Sequence, residues 1–260
     1  MRAFFSWLQH PLTKGHDIDD PQTSVLRQRI IREKGFLTRL YTEWYSRIRD
    51  ALPAGGGPVL ELGSGGGFLR DLIPDLVASD VMLLPQINVV LAGEALPFAN
   101  AVLRAIVMTN VFHHIPDVQG FLAEAARVTR SGGRLAMVEP WNTLWSRFVY
   151  GTLHHEPFEP AMRGWALPRG GGPLSSANGA LPWIVFDRDR HRFEAEFPGW
   201  RLVEATPIMP FSYLLSGGVS LRAQFPPAFY RIVRKVEELL PQQMFGMFAL
   251  VVLERRPAPR

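Results

Sequence analysis

The chain has 260 residues, 47% hydrophobic and 20% charged, enough apolar material for a buried core, which excludes a disordered chain and a fibrous repeat. Cysteine is absent, so disulfides, thiolate metal sites and a thiol nucleophile are excluded, and a reducing, cytoplasmic setting is expected. The formal charge is +4, but the only lysines are Lys14, Lys34 and Lys235 and the arginines form no run, which argues against a nucleic-acid footprint.

Met1 to Leu8 carries an apolar stretch too short for the h-region of a signal peptide. From Leu26 to Leu52 apolar residues recur at helical spacing (Leu26, Ile30, Leu37, Leu40, Trp44, Ile48) with arginines between them, which predicts one or two amphipathic helices. Their ordinary use would be as a cap over a cleft, and a peripheral membrane contact is the other reading. Pro53 to Pro58, with three glycines, breaks the pattern and predicts a linker.

Val59–Leu62 predicts a strand, Gly63–Gly67 a glycine turn and Phe68–Ile73 a short helix closed by Pro74. Further short strands are predicted at Val77–Ser79, Val89–Leu91, Ala105–Thr109 and Leu135–Val138, with a helix over Val118–Arg130. Strands alternating with crossovers predict an α/β fold with a doubly wound parallel sheet. Trp141–Asp187 is aromatic and turn-rich, too long for a simple connection, and includes three glycines at 170–172 that suit a lid. Beyond it, helices are predicted at Arg188–Phe197 and Tyr230–Leu240 and strands at Trp200–Ala205 and Met247–Leu253. Ile208–Tyr230 is strongly apolar and reads as core or as a pocket wall.

The chemistry concentrates in Val59-Leu60-Glu61-Leu62-Gly63-Ser64-Gly65-Gly66-Gly67, a strand followed by a turn whose glycines let backbone approach a ligand closely. Asp80 ends the second strand, where a carboxylate can accept from both hydroxyls of a ribose. Gly93-Glu94-Ala95-Leu96-Pro97-Phe98 follows the third strand, and Asn110-Val111-Phe112-His113-His114-Ile115-Pro116-Asp117 the fourth.

With these motifs in this order, Val59 to Pro140 resembles the class I S-adenosylmethionine-dependent methyltransferases, specifically the type 11-like subgroup with "GEALPF"-like and "HHIPD"-like signatures. The resemblance implies a Rossmann-like, doubly wound seven-stranded sheet with a reversed last strand. It implies that Gly63, Ser64 and Gly65 underlie the methionine part of the cofactor S-adenosylmethionine, with Glu61 ordering its amino end. Asp80 would hold the ribose, Glu94 and the Ala95 amide would read adenine, and Asn110 would line the methionine pocket. Met82 or Leu83 would pack on adenine, and His113 belongs to the loop beside the cofactor. One departure stands out: Val81–Gly93, containing Pro85, has no room for the helix the family usually places there.

The expected organisation is an N-terminal helical cap (1–57), a cofactor-binding core (58–140), an inserted lid over the acceptor (141–199) and a C-terminal completion of the core (200–260). His154, His155 and Glu156 lie in the lid, where a neutral imidazole could take a proton from an acceptor hydroxyl. No metal-ligand spacing supports a metal there. The expected function is methyl transfer to a small molecule, O-directed, onto an apolar, aromatic or glycan-like metabolite. A non-catalytic cofactor-binding scaffold is the alternative. An RNA methyltransferase ranks lower, because Asn110-Val111-Phe112-His113 lacks the prolines and stacking aromatic of its motif.

Overall fold

The computed structural model describes residues 9–152, 156–168 and 170–257. Among the described residues, the first two helices are α1 (Pro21–Glu33) and α2 (Gly35–Asp50). α1 begins earlier than its apolar spacing predicts because Asp20 caps it, accepting from the Gln22 amide at 2.8 Å, and Pro21 occupies the first turn, where no amide is needed. The break between the helices falls at Lys34, whose backbone is extended and whose buried ammonium donates to the carbonyls of Gly218 and Leu221 at 2.8 and 3.1 Å. Close packing enforces it: a Cβ on Gly35 would lie 2.9 Å from Pro227.

The strands are β1 (Val59–Leu62), β2 (Leu76–Asp80), β3 (Val89–Val90), β4 (Leu103–Thr109), β5 (Thr129–Pro140), β6 (Trp200–Ile208) and β7 (Phe248–Arg255). They form one seven-stranded sheet in the order β3-β2-β1-β4-β5-β7-β6, parallel except for β7, which runs antiparallel to β5 and β6. The order reverses between β1 and β4, so a crevice opens at their carboxyl ends. Helix α3 (Val118–Val128) packs Phe121, Leu122, Ala125 and Val128 on one face of the sheet, and α2 packs Phe36, Leu40, Trp44 and Ile48 on the other.

The helix expected over Phe68–Ile73 is only a 3₁₀ turn, Leu69–Asp71, because the stretch before Pro74 is too short to propagate helical hydrogen bonds. Between β2 and β3 there is no helix, in keeping with the short Val81–Gly93 segment. β2 is instead braced by Asn88, whose side-chain oxygen accepts from the Ala78 amide at 2.9 Å. After β5 come α4 (Leu144–Thr152), a helical stretch Leu181–Trp183 continuing through a π-turn Ile184–Arg188, and α5 (Arg190–Glu196). Three helices, α6 (Ser212–Ser216), α7 (Tyr230–Glu238) and the short α8 (Gln242–Phe245), separate β6 from β7.

Candidate functional site

A cavity of about 660 Å³ lies at the carboxyl ends of β1, β2 and β4, roofed by α1, α2 and the loop after residue 156. Glu61, Gly63, Ser64, Gly65, Asp80, Met82, Glu94, Asn110, His113 and Glu156 all line it. Ala95 does not; its amide donates to the Ala92 carbonyl at 3.2 Å. His154 and His155 lie outside the described residues.

The glycine turn is shaped by its surroundings. Gly63 has φ +62°, and a Cβ there would sit 2.5 Å from Val111. Gly65 has φ +47°, yet a Cβ would meet nothing nearer than the Gly63 carbonyl at 3.7 Å, so the cleft approaches bare backbone there. Asp80 secures the turn, accepting from the Gly65 amide at 3.0 Å and the Met82 amide at 2.9 Å. Burial pushes its carboxyl up, and these amides oppose the shift. A carboxylate has about four acceptor positions, so Asp80 retains capacity for ribose hydroxyls. Gln86, from the short segment, donates to the Gly65 carbonyl and covers the turn where a family helix would be.

Glu61 is buried and accepts from the Ser64 hydroxyl at 2.7 Å. Burial raises its carboxyl to about 7; the Ser64 bond opposes the rise and nearby Asp80 adds to it. A cationic amino group brought beside it would recover the ionised form. Asn110 adopts φ +56°, a left-handed conformation that asparagine tolerates better than most residues. The Thr109 hydroxyl oxygen is buried with no hydrogen-bond partner among the described residues, on a residue that lines the cavity. A bare backbone cradle, a buried acid for an amine, spare acceptor capacity for a diol and an unsatisfied hydroxyl fit an amino-acid-bearing nucleoside.

Beyond the turn the wall changes character. Tyr41, Tyr150, Phe158, Tyr213 and Phe248 line it, with Tyr150 stacked on Phe158 at 4.7 Å and Tyr213 edge-on to Phe248 at 5.1 Å. Burial pushes the Tyr41 phenol up to about 12. Into this apolar chamber project His113, His114 and Glu156. His113 Nδ1 lies 2.7 Å from Glu139, and its Nε2 lies 3.7 Å from Glu156. Burial alone would lower the His113 pKa, but the bond to Glu139 and the nearby Glu156 carboxylate raise it to about 9. His114 is driven the other way, to about 3, by burial and by the charge of His113, and its Nδ1–H donates to the Ser176 carbonyl at 3.0 Å.

Each of His113, His114 and Glu156 offers an atom within 4.8 Å of the others, a spacing that would also suit a metal ion. A metal would first have to displace the proton on His113 Nε2, which faces Glu156. Sequence reading missed Glu139, which ends β5 and also accepts the Val111 and Phe112 amides at 2.7 and 2.9 Å. It also missed Tyr41 and Tyr150 as cavity-lining residues, whereas Tyr213 falls in the Ile208–Tyr230 segment that reads as core or pocket wall. The one available signal was an acid at the carboxyl end of a central strand, beside the switch point.

Residues 60–137 match a family described as "Methyltransferase domain". Two curated relatives are demethylmenaquinone methyltransferases: that of Mycolicibacterium paratuberculosis is 37% identical over 99 residues, covering 36% of this chain and 39% of that protein. That of Thermobifida fusca is 32% identical over 100 residues, covering 37% and 33%. The match thus spans between a third and two fifths of the length of these relatives. Among solved structures, geranyl diphosphate C-methyltransferase from Streptomyces coelicolor A3(2), bound to Mg2+, geranyl diphosphate and S-adenosyl-L-homocysteine, aligns with TM-score 0.52 at 13% identity over 96% of this chain and 92% of that one. A geranyl diphosphate methyltransferase in complex with SAM aligns with TM-score 0.52 at 14% identity over 93% of each chain. Identities this low show the fold, which is that of the class I S-adenosylmethionine-dependent methyltransferases.

Proposed function

From the class I methyltransferase fold and the matched 60–137 segment, we propose that the chain is an S-adenosylmethionine-dependent methyltransferase acting on a small, largely apolar acceptor with an acidic, phenol-like hydroxyl. The observation that carries this reading is the continuity of one cavity, from the Gly63–Gly67 turn to the tyrosine-lined chamber that holds Glu156. The aromatic walls suit a planar, apolar acceptor and exclude water. The demethylmenaquinone methyltransferases among its relatives agree with a small-molecule acceptor.

When bound, the cofactor supplies an electrophilic methyl on a sulfonium that leaves as a neutral thioether. Positioning then does most of the work. Gly63 to Gly65 and Asp80 hold the cofactor side, while Tyr41, Tyr150 and Tyr213 hold the acceptor. Glu156, paired with the His113 imidazolium, takes the hydroxyl proton as the carbon–oxygen bond forms. A carboxylate in such a pair is a weak base, adequate for an acidic hydroxyl and poor for an alkyl alcohol. The His113 imidazolium orients Glu156, to which we assign the proton-accepting role; His154 and His155, for which that role was expected, lie outside the described residues. The helices before residue 57 serve as cap, and 141–199 as lid.

Calorimetry with S-adenosylmethionine and S-adenosylhomocysteine, followed by transfer of labelled methyl to a panel of quinols, phenols and aliphatic alcohols, tests the reading. Binding of both and product only from the phenolic group is expected. Absence of binding at millimolar concentration removes it, and binding without transfer to any acceptor would favour the scaffold.

A further inference from the structure

Helix α7 has its polarity reversed relative to an ordinary surface helix. Arg234 and Glu237 face inward, 7% and 0% exposed, whereas Ile232, Val236 and Leu239 are 58%, 53% and 85% exposed. The inward charges are fully engaged. Arg234 donates to both oxygens of Glu43 on α2, at 3.0 and 2.9 Å, and to Glu237. Glu237 also accepts the amides of Phe211 and Ser212 at the start of α6, at 2.5 and 2.6 Å. Rotating α7 to hide its apolar side would break this network and strand buried charge, so the apolar side is held outward.

Phe229, in the 3₁₀ turn before α7, and Phe225, in the loop ahead of it, extend the exposed apolar stripe of Ile232, Val236 and Leu239. The stripe borders a groove of about 430 Å³ walled by Phe211, Leu214 and Leu215. Next to Phe211, whose ring meets Trp145 at 5.4 Å, α4 exposes Leu144 and Phe148. A contiguous apolar face of this kind marks an interaction site. Its exposed charges are mainly cationic: Arg231 and Lys235 on α7, Arg222 before it and Arg147 on α4, against Glu238.

We propose that this face docks on an anionic lipid bilayer. An apolar stripe flanked by arginine and lysine is the pattern of an interfacial helix, with the side chains entering the acyl boundary and the cations meeting lipid phosphates. A second copy of the chain fits less well, since a two-fold contact would oppose like-charged rims. The face also lies one helix from the substrate cavity: on α6, Tyr213 lines the cavity and Leu214 and Leu215 line the groove. The inference stands independently of the methyl-transfer reading.

Sedimentation of the full chain with vesicles of phosphatidylcholine, with and without phosphatidylglycerol, tests it. Binding to the anionic vesicles, weakened by salt, is expected. The double variants Ile232→Glu/Leu239→Glu and Arg231→Glu/Lys235→Glu should each weaken it roughly tenfold or more. These positions are exposed, so thermal melting and cofactor calorimetry should match the unaltered protein and separate lost docking from lost folding or a failed methyltransferase reading. Equal partitioning of all three proteins, or no partitioning, overturns the proposal. So does a solution dimer that the same variants dissolve without any vesicle binding.

Discussion

His113 Nδ1 stands 2.7 Å from one oxygen of Glu139, whose other oxygen accepts the amides of Val111 and Phe112. Glu139 therefore links the end of β5 to the loop after β4 and fixes the imidazole against the cavity. Burial disfavours a charged imidazole, but the hydrogen bond to Glu139 and the nearby Glu156 carboxylate hold its pKa at about 9, against an ordinary value of 6.5. Because the folded value is raised, the stabilisation from this group is complete below about pH 6.5 and is lost as the pH climbs through about 9. In Glu139→Gln the burial remains and the stronger partner is gone, so the His113 titration should fall to or below its ordinary range, as read by NMR of labelled histidine. Removing one member of a buried pair should also cost about 3 kcal/mol in urea unfolding.

The glycine turn offers a paired test. Gly63→Ala meets both a left-handed backbone and a Cβ placed 2.5 Å from Val111, so it should lower stability and cofactor binding together. Gly65→Ala has room for its methyl group and bears only the backbone penalty, about 1–2 kcal/mol. It should stay folded in a thermal melt yet bind S-adenosylhomocysteine at least roughly tenfold more weakly, because the added carbon enters the space where backbone meets ligand. If Gly65→Ala binds normally, the cofactor does not lie on this turn.

What could be read in advance follows from how local each signal is. Val59–Leu62, the glycines after it, Asp80 and Glu94 are all defined by neighbours a few residues away, and all but one of the expected cofactor-side residues line one cavity. The start of α1 is not legible in its apolar spacing, which begins at Leu26, because Asp20 and Pro21 set it five residues earlier through a cap that carries no apolar signal. Glu139 was not legible either, because its meaning depends on His113, twenty-six positions earlier and on another strand's loop. The same holds for α7: Arg234 and Glu237 look like a solvated face until Glu43 and the start of α6 are folded against them. The apolar segment before it reads as core or as a pocket wall, but its side chains divide, with Tyr213 facing the cavity and Leu214, Leu215, Phe225 and Phe229 the surface groove.

Glu61 should make cofactor affinity depend on pH. Its folded pKa is raised to about 7 from 4.5 by burial, so the folded protein binds the extra proton between those values and stability from this group falls as the pH rises through that window. A cationic amine prefers the ionised acid, so affinity for S-adenosylhomocysteine should rise as the pH passes through about 7 and level off above it. Glu61→Gln should flatten that profile at the weaker, low-pH affinity while tightening the fold at alkaline pH. Calorimetry across pH 5.5–8.5, roughly the range spanning the titration, reads both effects.

Asp19 tethers the roof of the acceptor chamber. Its Oδ1 accepts the Leu174 and Ser175 amides at 2.6 and 3.0 Å, and Gly172 packs so closely that a Cβ there would lie 2.1 Å from the Asp19 carboxylate. Gly170 to Leu174 and Ser176 line the cavity, and Ser176 in turn receives the His114 hydrogen bond. Burial pulls the Asp19 carboxyl up, but the bonds from Ser175 and Leu174 outweigh it and hold the pKa below 3.8, so the tether persists above that pH and is lost in acid. A hydrogen bond to a charged group contributes about 1.5–3 kcal/mol, so Asp19→Ala should open the 170–176 loop at least roughly tenfold more often. Faster amide exchange across 170–176 and a raised acceptor KM are expected, with cofactor affinity unchanged because, among the described residues, no hydrogen bond joins the Gly63–Gly65 turn or Asp80 to this loop. A variant whose exchange and KM both match the unaltered protein would mean that the roof is held from elsewhere.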